Sequence, residues 1–435
     1  MASFRDDAEN VELASRIQNA NIMPSEVGGL KRSWITVNQS TSWARNSVSC
    51  PASPTKSTNF SVCSYNVLCQ TTLLQTSYLY PYCSTEYLAW HYRWKLMQKE
   101  FTVLDADIFC LQEVEEDFYK SHFFKFFSER GYDGLYKRRL GAKVDGCATF
   151  WRRDRFDLVS SDSMHFQVPN TMLYRENIAL MITLALKQSP LDRVKKPAES
   201  SGGNQFVVAN THLLFDPCRT DIKLCEAAML LAKLQKILHS SKSSTGLIIC
   251  GDFNAVPFGP LYNLMMEGRL HYVGLSRAED PQKCTSPIRY PLLPAEAQIE
   301  ESGCLENDDP RCNGIVEEPG CLAHNLKLAS AYCHRLLNGR EEVSTHLAKN
   351  SYTVDYILFK VASKTVVKQH RASASAQGGN GKAELITKDV KEDNLRCRAV
   401  LSLPSSDQIN RTIGWIPNQY CASDHFPLMA EFELI

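Results

Sequence analysis

Polar side chains stand at or just beyond the ends of six apolar runs in this 435-residue chain. They are Asn66, Glu113, Asn210 with His212, Asp252 with Asn254, Asp355, and Asp424 with His425. Carboxylates, amides and imidazoles without thiolate motifs are the ligand set of a hard divalent cation. Mg²⁺ fits best, with Mn²⁺ as an alternative, because it needs only one or two carboxylates besides substrate phosphate oxygens. The pattern therefore predicts metal-assisted hydrolysis of a phosphoester.

Side-chain alternation along strands brings two pairs of these residues together. Asp252 and Asn254 point the same way if their strand continues through both, and so do Asn210 and His212. Asp252 is the best candidate for orienting or deprotonating the attacking water. Asn254 and Asn210 are predicted to donate hydrogen bonds to the transition state, where His212 adds positive charge.

The remaining polar residues divide between charge stabilisation and metal binding. His425 is predicted to supply positive charge to the transition state, and it needs an acidic partner to stay protonated near neutral pH. Asp355 is available as that partner. Glu113 is then left as the principal metal ligand, and Asp424 is assigned to the metal as well. Asn66 is predicted to steady the metal or its ligand.

The elements that must position these residues alternate along the chain. From Phe60 onward, short apolar runs rich in Val, Ile, Phe and Cys predict strands. Longer segments at 87–104 and 219–240 carry apolar residues at helical spacing and predict helices packed on a sheet. This order predicts an α/β sandwich, preceded by a polar, aperiodic and flexible leader over residues 1–58.

Two later segments interrupt the alternation. Residues 277–322 contain six prolines and an acidic run, which is typical of a long exposed insertion. A protein partner is predicted to bind there. Residues 363–394 have almost no core-forming content and are predicted to be a second flexible excursion.

Charge and composition limit the kinds of partner. Lys and Arg together number 48, as do Asp and Glu, so no global field draws the chain onto a polyanion. An RNA must be held locally, and the dense basic region offers Arg138, Arg139 and Lys143 for its phosphates. No apolar run reaches the roughly 18 residues of a membrane span. Many of the 16 cysteines lie in apolar runs, so we expect a reducing compartment, cytoplasmic and also nuclear, and a monomer.

Six motifs in chain order resemble the endonuclease/exonuclease/phosphatase superfamily. They are Tyr65-Asn66, Gln112-Glu113, Asn210-Thr211-His212, Gly251-Asp252-Phe253-Asn254, Asp355-Tyr356 and Ser423-Asp424-His425. Stretches such as "DADIFCLQEVEEDFY" and "NTHLLFDPCRTDIKL" are similar to the Angel proteins, relatives of the carbon catabolite repressor deadenylases and nocturnin. The resemblance implies one catalytic domain over residues 59–435, a four-layer α-β-β-α sandwich of two mixed sheets. It also implies Mg²⁺ dependence and an RNA 3′ end as substrate.

The resemblance leaves more than one function open. Some Angel-group members remove 2′,3′-cyclic phosphates, whereas the deadenylases shorten poly(A). The deadenylases carry Phe-x-Gly just ahead of their Asp-Tyr-Ile motif, but this chain reads "VSTHLAKNSYTVDYI". That departure favours the cyclic phosphate and makes His346 a candidate for substrate binding. A non-catalytic module that binds mRNA or translation factors is the third alternative, although every predicted catalytic position keeps a reactive residue.

Overall fold

Two β-sheets lie face to face, and helices cover the outer surface of each. The structure is a computed structural model. It describes residues 26–37, 58–187, 204–241, 245–279, 283–297, 299, 305–306, 320–336, 338–348, 350–370 and 383–435. The helix, sheet, sheet, helix order of the layers confirms the predicted α-β-β-α sandwich.

The first sheet has seven strands and is mixed. Its strands are β1 (Trp34–Thr36), β2 (Asn59–Asn66), β3 (Ile108–Glu115), β4 (Tyr132–Arg138), β5 (Asp145–Arg152), β12 (Leu395–Leu401) and β13 (Leu428–Leu434). They lie in the order β1-β12-β13-β2-β3-β5-β4. β2 and β3 are parallel, and the other pairs are antiparallel.

The second sheet has six strands and is also mixed. Its strands are β6 (Phe156–His165), β7 (Ile178–Leu186), β8 (Gln205–His212), β9 (Gly246–Asp252), β10 (Leu328–Ser330) and β11 (Asp355–Lys360). They lie in the order β10-β11-β9-β8-β7-β6. Only β8 and β9 are parallel, so their carboxyl ends open at the same edge.

Amphipathic helices form the outer layers. α1 (Trp90–Leu104) packs on the first sheet, and α2 (Thr220–Ser240) and α3 (Pro260–Glu267) pack on the second. α4 (Ser406–Thr412) begins at a Ser405 capping box. Shorter helical pieces are Gln70–Gln75, Ser77–Leu79, Thr85–Leu88, Glu116–Phe118, Tyr119–Phe124, Lys125–Ser128 and Ala295–Ala297. No helix of the described residues is long and apolar enough to cross a membrane.

Alternation along the strands decides which side chains fill the space between the sheets. On β9, Ile248 and Cys250 face the other sheet, while Leu247 and Ile249 pack under the outer helices. The same rule places Val208 of β8 between the sheets. Because polar residues at the strand ends continue this inward series, they meet at one end of the sandwich.

Part of the predicted leader belongs to the folded domain. Residues 26–37 form the strands Glu26–Val27 and Leu30–Lys31 and the edge strand β1, which pairs with β12. Arg32 is buried and donates hydrogen bonds to the carbonyl oxygens of Ser402 and Pro427. These long-range contacts, which a polar local sequence does not reveal, anchor the segment. Residues 1–25 and 38–57 lie outside the described residues.

Both predicted insertions contain secondary structure where they are described. Strands Ser363–His370 and Ala383–Lys391 pair as a two-stranded ribbon in the second one. In the first insertion, a small sheet joins Arg269–His271, Leu305–Glu306 and Cys321–Ala323. Two further short strands, Thr345–His346 and Ser351–Tyr352, pair with each other. Residues 307–319 and 371–382 lie outside the described residues.

Candidate active site

A buried group of two carboxylates and an imidazole lies where β9 and β11 meet. Asp252 ends β9 and is paired in register with Asp355, which begins β11. His425 Nδ1 lies 2.8 Å from Asp355 Oδ2, and that oxygen also accepts a hydrogen bond from Ser344 Oγ at 2.6 Å. One ligand atom from each of Asp252, Asp355 and His425 lies within 4.8 Å of the others. The group has the composition to hold a metal ion or to transfer protons.

Burial and nearby negative charges together determine which of these residues carry a proton. Burial lowers the pKa of His425, but the negative charges of Asp355, Asp252 and Asp424 outweigh it and raise that pKa well above its ordinary value. Burial, and then the charge of Asp355, raise the pKa of Asp252. An imidazolium beside a carboxylate with a raised pKa is a suitable pair for stabilising charge and accepting a proton.

Asp252 Oδ2 is surrounded by nitrogen atoms. Asn66 Nδ2 donates to it at 3.0 Å, His212 Nε2 lies 3.6 Å away and His425 Nε2 lies 3.7 Å away. Burial lowers the pKa of His212, against the opposing charge of Asp252. The structure therefore brings the predicted water-orienting carboxylate together with both predicted histidines.

A β-bulge turns Glu113 into the site. The register between β3 and β5 shifts between Leu111 and Val114, and Glu113 has a positive φ of 58°. Its carboxylate accepts hydrogen bonds from Asn66 Nδ2 at 3.0 Å and from the Cys69 backbone N–H at 2.9 Å. Asn66 thus bridges Glu113 and Asp252, and it steadies the carboxylates through its amide nitrogen.

Asp424 has one bonded and one free carboxylate oxygen. Its Oδ2 accepts a hydrogen bond from the Tyr80 hydroxyl at 2.9 Å, whereas its buried Oδ1 has no hydrogen-bond partner in the described part of the chain and lies 4.0 Å from His425 Nε2. Burial raises the pKa of Asp424, and the charge of Glu113 raises it further. An orphaned oxygen among acids of like charge fits a divalent cation, which would supply the missing partner.

Asn254 lies beside His212, but it is placed there by a turn and not by the predicted continuation of the strand. β9 ends at Asp252, and Asn254 takes a positive φ of 49° in the turn that follows. Its Nδ2 lies 3.0 Å from both His212 Nε2 and the Leu213 carbonyl oxygen. Its carbonyl oxygen accepts a hydrogen bond from the buried Lys223 Nζ at 2.6 Å.

Asn210 is fully buried between the two sheets. Its Nδ2 donates to the carbonyl oxygens of Leu111 and Ala148, and its Oδ1 accepts from Gln112 Nε2 at 2.8 Å. These hydrogen bonds use the Asn210 amide that the sequence predicts to donate to the transition state. The geometry supports a positioning role instead, because Asn210 joins β8 to the first sheet.

The candidate substrate-binding residues are all committed to protein contacts or lie at the surface. His346 is buried, with its ring nitrogens bonded to Ser351 Oγ and Asn410 Oδ1. Arg139 pairs with Asp145. Arg138 donates to the carbonyl oxygen of Gly141 and pairs with Glu116, and Lys143 is exposed. Arg139 nevertheless lies near the site: burial is the main cause of the lowered pKa of His212, and the positive charge of Arg139 lowers it further.

Two supporting residues carry no signal in the sequence by itself. Ser344 holds Asp355, and Tyr80 holds Asp424. Hydroxyl side chains are common everywhere in the chain, so only their tertiary contacts distinguish these two. Ser423 belongs to the Ser423-Asp424-His425 motif, and its Oγ donates to the Asn66 carbonyl oxygen at 2.7 Å.

With the geometry established, comparison with known proteins identifies the family. A family model described as the Endonuclease/Exonuclease/phosphatase family matches residues 63–425. The chain belongs to the endonuclease/exonuclease/phosphatase family. All six motifs, from Tyr65-Asn66 to Ser423-Asp424-His425, lie within the matched residues.

The family members most informative for this chain are Angel proteins, which confirms the resemblance. Protein angel homolog 2 of Danio rerio is 34% identical over 392 residues, covering 86% of this chain and 64% of that protein. Protein angel homolog 2 of Homo sapiens is 32% identical over 403 residues, covering 86% and 69%. The chain therefore spans about two thirds of the length of these relatives.

Solved structures of the family share the fold. The crystal structure of ANGEL2, a 2′,3′-cyclic phosphatase, in complex with adenosine-2′,3′-vanadate has a TM-score of 0.70 and 31% identity. The match covers 93% of this chain and 99% of that chain. The human nocturnin catalytic domain has a TM-score of 0.52 and 20% identity, covering 95% and 100%, and this likeness concerns the fold alone.

Proposed function

We propose that this chain is a metal-dependent phosphoesterase that hydrolyses 2′,3′-cyclic phosphates at RNA 3′ ends. The observation that carries the proposal is the Asp355–His425 pair, 2.8 Å apart, with His425 Nε2 at 3.7 Å from Asp252 Oδ2 and 4.0 Å from Asp424 Oδ1. Similarity to ANGEL2, a 2′,3′-cyclic phosphatase, over nearly the whole of that chain supports the choice of substrate.

Mg²⁺ is the proposed metal, with Glu113 and Asp424 as its ligands. Both offer carboxylate oxygens, and Asp424 Oδ1 has no hydrogen-bond partner among the described residues. When bound, the ion polarises a phosphoryl oxygen and offsets the negative charge of the transition state. Asn66 holds Glu113 in place by the 3.0 Å hydrogen bond.

Each side chain of this site has its own role in the hydrolysis. Asp252 accepts a proton from the attacking water, whose oxygen forms the new bond to phosphorus. One of the two ester bonds of the cyclic phosphate breaks, the freed ribose oxygen takes up a proton from solvent, and Asp252 returns its proton to solvent. The protonated His425, held by Asp355, stabilises the negative charge on the phosphoryl oxygens. This step consumes one water and opens the ring, and a second water that attacks the resulting phosphomonoester in the same way releases inorganic phosphate and leaves both ribose hydroxyls free.

Two labelled RNAs of equal length test the proposal. The protein with Mg²⁺ is incubated with one RNA that ends in a 2′,3′-cyclic phosphate and one that ends in an A-tail. We expect conversion of the cyclic end without shortening of either RNA. Asp252→Ala and Glu113→Ala should each fold and lower turnover about 10³-fold or more, because each acts mainly in the transition state.

The other outcomes point to the alternatives. A descending ladder from the A-tail would show a deadenylase despite the missing Phe-x-Gly. No reaction on either RNA would favour a module that binds mRNA or a translation factor. Full activity in both variants would contradict the assignment of the site.

A further inference from the structure

The loop that follows β8 exposes an aromatic ring beside the active site. His212 ends β8, and the next residue, Leu213, accepts a hydrogen bond from Asn254 Nδ2 at 3.0 Å. Leu213 and Leu214 are buried, but Phe215 is 74% exposed. Because two residues span at most about 7 Å, the Phe215 backbone lies within that distance of Leu213. A large apolar side chain is therefore open to solvent where the carboxyl ends of β8 and β9 meet.

Two guanidinium groups lie in and beside the same loop. Arg219 Nε donates to Asp221 Oδ1 at 2.9 Å, and Arg277 Nε lies 3.3 Å from Asp221 Oδ2. The Arg277 carbonyl oxygen accepts from the Thr220 N–H at 2.8 Å, which fixes Arg277 against the start of α2. Two cations share one buried carboxylate, so this trio keeps one positive charge in excess.

A second exposed ring adjoins these arginines. Tyr174 is 48% exposed, and the Arg175 guanidinium lies 4.6 Å from its ring centroid. Burial lowers the pKa of Arg219, but Asp221 and the neighbouring Tyr174 phenol raise it overall. Asn177, three residues beyond Tyr174, donates to the His212 carbonyl oxygen at 2.8 Å. The segment with Tyr174 is therefore tied to the same strand end as Phe215.

We propose that this surface, Phe215 with Arg219, Arg277, Tyr174 and Arg175, binds the single-stranded RNA that leads to the reacting 3′ end. Phe215 stacks on a base, and the arginines hold the phosphodiester backbone. Exposed rings interleaved with cations are the recurrent means of binding single strands without reading their sequence. The proposal rests on the proposed function for the identity of the substrate, and it concerns residues outside the reacting group.

RNA binding is the decisive measurement, because it does not depend on turnover. We would titrate the full chain into a fluorescent single-stranded RNA of about 12 nucleotides with a plain 3′ hydroxyl and follow its anisotropy. Phe215→Ala should weaken Kd about tenfold or more, whereas Phe215→Trp should retain binding. Phe124→Ala is the matched control, since Phe124 is an exposed phenylalanine at 40% exposure on a different part of the surface.

Salt dependence and kinetics test the two parts of the surface separately. Arg277→Ala should lower the slope of log Kd against log salt by about 0.7, as expected for the loss of one phosphate contact with a single strand. With a cyclic-ended RNA, Phe215→Ala should raise KM about tenfold with kcat within about twofold, because it removes binding common to ground and transition states.

The outcomes separate this proposal from the proposed function. Wild-type binding that survives Phe215→Ala unchanged would overturn the stacking surface, and so would a wild-type protein that does not bind the RNA. Binding that depends on Phe215 in a protein that hydrolyses no cyclic end would refute the proposed function and leave the RNA surface standing.

Discussion

At the scale of single residues, the protonation of His425 depends on one neighbour. His425 Nδ1 lies 2.8 Å from Asp355 Oδ2, and Ser344 Oγ holds the same oxygen at 2.6 Å. Burial alone would lower the pKa of His425, but the surrounding carboxylates, Asp355 first among them, raise it well above its ordinary value. The imidazolium and its contribution to stability are therefore present at acidic and neutral pH. They are lost only as the pH rises through the raised pKa.

Asp355→Asn should lower the pKa of His425. Without the negative charge, burial dominates, so we expect His425 to be neutral at pH 7 and kcat to fall about 10²-fold or more. Residual activity should rise as the pH is lowered and His425 regains its proton. The kcat profile from about pH 5 to 9 measures this. Ser344→Ala, which keeps the charge, is the control, and an unchanged profile in Asp355→Asn would contradict the argument.

At the scale of elements, the close pairing of β8 with β9 brings the site together. Thr211 and Gly251 are register partners in the parallel pair. A Cβ added at Gly251 would lie 2.0 Å from the Thr211 carbonyl oxygen, a distance that no side chain tolerates. A glycine directly before Asp252 therefore lets the two strand ends, with His212 on one and Asp252 on the other, approach each other.

Gly251→Ala should destabilise the fold and separate these strand ends. We expect a loss of about 3 kcal/mol in the free energy of unfolding, since backbone has to move to admit the methyl group. Gly131→Ala is the comparison, because an added Cβ there meets nothing within 4 Å and only the positive φ opposes it. Urea unfolding measures both. Equal losses in the two variants would show that close approach at Gly251 is not the cause.

α2 supports the loop beneath His212 through a buried acid. Glu226 Oε2 accepts a hydrogen bond from the Leu214 backbone N–H at 2.9 Å. Burial raises the pKa of Glu226 from 4.5 to about 8. Between these values the folded protein keeps a proton that the unfolded chain releases, so this residue makes stability fall as the pH rises through that window.

Glu226→Gln should remove this pH dependence. The uncharged amide can still accept from Leu214 and does not titrate. We therefore expect the fall in Tm between about pH 5 and pH 8 to be smaller by about 5 °C than in the wild type. Asp157→Asn, at an exposed position, should leave the wild-type dependence in place. Parallel pH curves for wild type and Glu226→Gln would mean that Glu226 is ionised in the folded protein.

At the scale of the whole molecule, a chain without net charge concentrates acids at one end of its sandwich. Asp252, Asp355 and Asp424 are buried, and Glu113 is half-buried beside them. Burial and mutual repulsion raise the pKa of Asp424. Burying these acids side by side therefore costs free energy in the folded state but not in the unfolded chain. A bound cation would reduce that cost.

Mg²⁺ should consequently raise the stability of the entire domain. A ligand at about 100 times its Kd that binds only the folded state adds about 2.7 kcal/mol. We expect Tm to rise with Mg²⁺ and to return to its starting value with EDTA, together with loss of activity. Asp424→Asn should raise Tm in EDTA, because one buried charge is gone, and should abolish the Mg²⁺ shift. A shift of wild-type size in Asp424→Asn would remove this residue from the metal site.

The sequence revealed some contacts through strand alternation and missed others. Alternation predicted that Asp252 and Asn254 would point the same way if their strand continued through both, but the strand ends at Asp252 and Asn254 meets His212 through the turn that follows. Alternation also paired Asn210 with His212, although the Asn210 amide is used between the sheets. Strand periodicity tells which face a side chain takes, but it does not tell what the opposite sheet presents there.

By itself the sequence determined the types and order of the reactive side chains and their places at strand ends, because apolar runs and their polar endings are local features. Only the tertiary structure decided how the ends combine. The bulge that turns Glu113 inward and the contacts of Tyr80 and Ser344 arise from pairing between distant segments. The tertiary structure also left Phe215 exposed beside the active site, because the exposure of a side chain depends on what the rest of the chain covers.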